Sequence, residues 1–118
     1  MVRIDQIAEA ALSGEGITVR SLVQDFFREN PNITNIAKPV VNDDRVLVTS
    51  AALVELFASR LGQDAPAWTK TVGPLAEPIF LIKAAETMKR LRVLCEIESP
   101  APLRNRGIYA PPNYLEFA

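Results

Sequence analysis

Histidine is absent from this chain, and with it go the commonest general base, the commonest metal ligand and any Ser-His or Cys-His nucleophile pair. Cys95 is the single cysteine, so neither an intramolecular disulfide nor a cysteine-rich zinc site can form. A thiolate is the reactive form and Arg92 stands nearby to favour it, yet Cys95 continues an apolar helical stripe from Leu91 and reads as core. Asp43 and Asp44 offer two adjacent carboxylates, a weak cation site without further oxygen ligands and a natural acidic start for a helix. No pattern pairs two of the 14 acidic residues as general acid and base. The expectation is no catalytic residue, no cofactor and no metal.

Binding chemistry is better represented. Lys83, Lys89, Arg90, Arg92, Arg104 and Arg106 face only Glu86, Glu96 and Glu98 in the same stretch, a local basic excess that could meet phosphates or an acidic protein. The same residues also suit a solvated helix face with ion pairs at i,i+3 and i,i+4, Lys83 with Glu86 and Arg92 with Glu96. No aromatic residue interleaves with the basic ones, which weakens single-strand stacking. The N-terminal third has the length of a helix-turn-helix, but Arg20 and Arg28 are offset by Asp25 and Glu29 in the helix that would read the groove. Near the end, Tyr109, Tyr114, Leu115 and Phe117 place large apolar side chains where chains are usually polar. They must be covered, either by the parent helices or by a partner, which could be a second copy. Pro111 and Pro112 favour an extended approach to either site.

The elements that position these residues follow from periodicity. Ile4, Ile7, Ala8, Ala11 and Leu12 form the stripe of an amphipathic helix over 3–13, broken at Gly14 and Gly16. Thr18 suits the N-cap of a second helix carrying Val19, Leu22, Val23, Phe26 and Phe27, stopped at Asn30-Pro31-Asn32. The two make an αα-hairpin. Residues 31–42 read as a connecting loop. Asp43 and Asp44 open a third helix with Val46, Leu53, Leu56, Phe57 and Leu61 buried and Gly62 closing it, although Val46 to Thr49 are also compatible with a short strand. Pro66, Pro74 and Pro78 make 63–80 irregular, with one helical turn at 67–71 from which Trp68 anchors the loop to the core. A last long helix is predicted from about Phe80 to Ser99, with Leu81, Ala84, Met88, Leu91 and Cys95 inward, then a turn from Pro102 closed by Gly107.

These 118 residues suit one all-α helical domain of about four main helices, with Pro-rich irregular connections and an apolar C-terminal tail. At 48% hydrophobic and 23% charged, the chain has enough apolar surface for a core and is far from the composition of disordered segments. A net charge of −1 creates no overall field toward nucleic acid or membrane. No apolar run approaches a membrane span, and Asp5 and Glu9 occupy the place of a signal peptide's apolar stretch, so a cytoplasmic location is expected.

Pro66-Ala67-Trp68-Thr69, Met88-Lys89-Arg90-Leu91-Arg92 and the ending Pro111-Pro112-Asn113-Tyr114-Leu115-Glu116-Phe117-Ala118 resemble a family of small bacterial proteins. The resemblance covers nearly half the chain and implies a location beside a nucleotidyltransferase-like protein of the toxin-antitoxin type, hence an antitoxin-like or accessory partner. It assigns no site residues. From the residues themselves, the expected activity is non-enzymatic protein interaction, with Trp68, Tyr109, Tyr114 and Phe117 as aromatic anchors and Arg90, Arg92, Arg104 and Arg106 as polar contacts. The alternative is a nucleic-acid-binding regulator using the basic final third.

Overall fold

Each of the first three predicted stripes forms a helix. The computed structural model describes residues 2–82, 85 and 87–115. Helix α1 (Ile4–Leu12) buries Ile4, Ile7, Ala8 and Ala11. It ends in a Schellman turn: Gly14 takes φ 73°, and the N–H groups of Glu15 and Gly14 donate to Ala10 O and Ala11 O, both at 3.1 Å. That turn runs straight into α2 (Gly16–Glu29), whose N-cap is Glu15, so Thr18 lies inside the helix and does not cap it. Val19, Val23 and Phe26 face inward.

Helix α3 (Asp44–Arg60) starts where the two aspartates predict, with the Asp43 carboxylate accepting from Arg45 N–H at 2.9 Å. Val46 to Thr49 are helical, not a strand. Residues 48–54 are buried without a break, as expected of a helix at the centre of the fold, where α1 packs on it. Phe27 meets Phe57 edge-on, with ring centroids 4.9 Å apart. A second Schellman turn, with Gly62 at φ 67° and Gln63 N–H donating to Ala58 O at 2.8 Å, closes the helix; Leu61 is therefore an exposed C-cap and not a core residue.

Two connections are tied down by side chains. The segment after α2 contains a 3₁₀ turn (Ile33–Asn35) and a buried Ile33, whose N–H donates to Gln63 Oε1 at 2.7 Å. A second 3₁₀ turn (Ala67–Thr71) matches the predicted one, and Trp68 Nε1 donates to Ile36 O at 2.8 Å.

The predicted 80–99 helix is only half present. Ile79–Phe80 form strand β1, paired in parallel with β2 (Ile108–Tyr109) in the register Ile79 with Ile108 and Phe80 with Tyr109. Leu81 N–H donates to Tyr109 O at 3.0 Å, and the ladder buries Leu81 against the core. Backbone pairing to a segment remote in sequence overrides the helical period there. Helix α4 spans Lys89–Glu98, and the short α5 (Ala101–Arg104) follows, with Gly107 at φ 75° leading into β2. Met88, expected inward, is exposed; Ala84 lies outside the described residues. Among the described residues, four of the five α-helices are longer than two turns and the sheet has two residues per strand, so the fold is mostly helical.

Candidate functional site

Of the eight predicted contact residues, the seven that are described do not converge on one surface. Trp68 is half-buried and gives its indole N–H to its own chain. Tyr114 packs on the core, and burial pushes its phenol up to about 12. Arg60, at the end of α3, donates to Tyr114 O at 2.6 Å, which ties the tail back onto the parent helices. Residues 111–114 form a turn closed by Tyr114 N–H to Pro111 O at 3.0 Å, in place of the extended approach the two prolines suggest. Phe117 lies outside the described residues.

Arg106 is 9% exposed, which removes it from any surface role. Its guanidinium pairs with Glu55 of α3 and donates to Thr69 O at 2.8 Å, bracing α3, the Ala67–Thr71 turn and the chain before β2. Arg104 is exposed and donates to Ile97 O at 2.7 Å, satisfying a carbonyl at the end of α4. Arg92 makes the predicted ion pair with Glu96 at 3.2 Å and lies 5.2 Å from the Phe80 ring centroid, which sits 5.4 Å from that of Tyr109. Lys83 and Glu86, the other predicted pair, lie outside the described residues.

Helix α4 is where an unsatisfied surface appears. Leu91 and Cys95 face the protein, and Cys95 is fully enclosed; burial first, and the Glu96 carboxylate second, push its thiol up, so it is held as a neutral packing group. Ser99 fixes the C-terminal end: its hydroxyl accepts from Ala110 N–H at 2.9 Å, and its own proton reaches the carbonyl of Cys95 or Ala110. No described residue of α4 joins the continuous core that links α1, α2 and α3. On the side away from Cys95, Arg90, Val93, Leu94 and Ile97 recur at i, i+3, i+4 and i+7, which is one face of a helix. Val93 is 50%, Leu94 36% and Ile97 64% exposed, and with Arg90 and Glu98 they line a shallow open groove.

Sequence reasoning missed this face because α4 carries two apolar stripes. The inward one, through Leu91 and Cys95, accounts for the helix by itself, so the spacing of Val93, Leu94 and Ile97, although present in the sequence, does not by itself mark a second face. Of the other exposed large apolar residues, Met88 is the N-cap of α4, and Ile17, Val40 and Leu61 belong to other segments. A second concavity, between Arg3, Ile4 and Asp5 and residues 36–40, has Asp5 as its one carboxylate, paired with Arg3 at 3.2 Å. Among the described residues no group of three His, Cys, Asp or Glu is placed to hold a metal ion, and no helix is long and apolar enough to cross a membrane. No protein-family model, curated protein or solved structure matches the chain.

Proposed function

We propose that this chain is a non-enzymatic protein-interaction module and that the outer face of α4 is its contact surface. One observation carries the reading: a helix lying outside the core keeps three large aliphatic side chains together in water, flanked by Arg90 and Glu98. Apolar groups gathered on one helix face, with a charged rim, are the recognition mode of a helix that packs against another surface. Two features favour this over nucleic-acid binding. Arg106 is internal and Arg92 is engaged by Glu96 and Phe80, so the basic cluster offers fewer free donors than its count of charges suggests. The resemblance, which covers nearly half the chain, makes a nucleotidyltransferase-like protein the first heterologous partner to try, in an antitoxin-like or accessory role.

The test is association of the purified full chain, alone and mixed with such a protein, beside an Ile97→Asp variant. Ile97 is mostly solvated, so the variant keeps its circular dichroism and unfolding midpoint. Association that weakens at least tenfold in Ile97→Asp, and only a few-fold between about 50 and 200 mM salt, as a charge-rimmed apolar contact does, supports the reading. Binding to nucleic acid that collapses over that salt range, and is lost on Arg90→Ala with Arg104→Ala, replaces it with the regulator alternative.

A further inference from the structure

We infer that the occupant of the α4 outer face is a second copy of this chain, docked antiparallel about a two-fold axis near Leu94, so that Arg90 of each copy meets Glu98 of the other. The inference rests on the interaction reading above and names its partner. It starts from the order of charges along α4. Lys89, Arg90 and Arg92 occupy the first turn and Glu96 and Glu98 the last, with no acidic residue at the start and no basic one at the end.

This order is the reverse of what the helix's own dipole favours, since the N-terminal end attracts negative charge and the C-terminal end positive. Local helix stability therefore does not explain it. Within the chain, Arg104 offsets the C-terminal end by donating to Ile97 O, but neither Arg90 nor Glu98 makes an ion pair with a described residue. An antiparallel copy reverses the sign of each misfit. On the outer face it brings Glu98 to the basic N-terminal end and Arg90 to the acidic C-terminal end, while Arg92 and Glu96 stay paired with each other on the other side of the helix.

The apolar pattern carries the same symmetry. Arg90, Leu94 and Glu98 lie four residues apart on one ridge, with Val93 and Ile97 on the next. A two-fold axis at the middle of the first ridge stacks Leu94 on Leu94 and crosses the two charges, as an isologous interface requires. A parallel pairing would instead set Arg90 against Arg90 and Glu98 against Glu98.

Ten residues of helix are about 15 Å long, and a strong dimer buries about 800 Å² per partner. The expected association is accordingly modest, on the order of 10–100 μM.

Sedimentation velocity of the full chain from about 5 to 500 μM spans that range. The wild type passes from monomer to dimer, and Ile97→Asp stays monomeric. Arg90→Glu and Glu98→Arg each weaken dimerisation at least tenfold, because each sets like charges against one another. Mixed in equal amounts they recover wild-type association, since the two acids of one copy then face the two bases of the other. Both substitutions improve the match to the helix's own dipole, so loss of the dimer is not loss of the helix. A wild type that stays monomeric throughout, or variants that fail to complement, overturns the inference. A monomer whose binding to another protein is lost in Ile97→Asp would overturn self-association alone; a monomer that binds no protein would overturn the interaction reading with it.

Discussion

Arg106 and Tyr114 share the final third with the exposed basic residues, and the fold turns both inward. The Arg106 guanidinium satisfies Glu55 and the Thr69 carbonyl, while its Nε finds no partner among the described residues. Arg106→Met leaves the mostly buried Glu55 carboxylate without its counter-charge, and urea unfolding should show a loss of about 2–4 kcal/mol. Adding Glu55→Met should recover part of that loss, because the double variant no longer encloses an unpaired charge. Tyr114 supplies the pH dependence. Its phenol is held up at about 12, whereas in the unfolded chain it ionises near its ordinary 10. The stabilisation is complete below pH 10 and is lost as pH rises toward 12, where the unfolded state has released a proton that the folded state still holds. The loss reaches roughly 2–3 kcal/mol above that window. In a Tyr109→Phe variant, tyrosinate absorbance at 295 nm should appear near pH 12 while the chain is folded and near pH 10 once it unfolds in denaturant.

At the scale of elements, α3 and α4 are opposites. Helix α3 is buried almost all round, capped by Asp43 and closed by the Gly62 turn, so its amides open only with the whole fold. Helix α4 lies outside the continuous core, has Met88 as an N-cap that makes no side-chain cap hydrogen bond, and carries charges that oppose its dipole. Hydrogen exchange at low protein concentration should therefore be faster in α4 than in α3, by about 10²-fold. Protection of α4 should rise with protein concentration as its outer face is covered. The first three helices were legible because their stripes of Ile, Val, Leu and Phe coincide with the faces they bury, and because Gly14, Gly62 and Asp43 mark ends by local backbone chemistry. The segment 79–88 was not legible, because Leu81, Ala84, Met88, Leu91 and Cys95 also have a helical period and nothing local announces a strand partner at 108–109.

The described chain has a radius of gyration of 13.2 Å, against about 13.5 Å expected for a compact domain of this length. Compactness is thus reached with α4 at the rim, and association is the property of the whole molecule most directly open to test, through the charge-swapped pair at positions 90 and 98. The sequence by itself determined the mostly helical class, the positions of α1, α2 and α3, the turn at 67–71 and the packing role of Cys95. Each depends on interactions within a few residues or on a single amphipathic period. Only the tertiary structure decided that Ile79–Phe80 pair with Ile108–Tyr109, that Arg106 is buried on Glu55, that Tyr114 is tied back by Arg60, and which of the two apolar stripes of α4 stays in water. Those outcomes depend on which distant segments meet, and a side chain's type does not reveal whether its partner is solvent, core or a remote carbonyl.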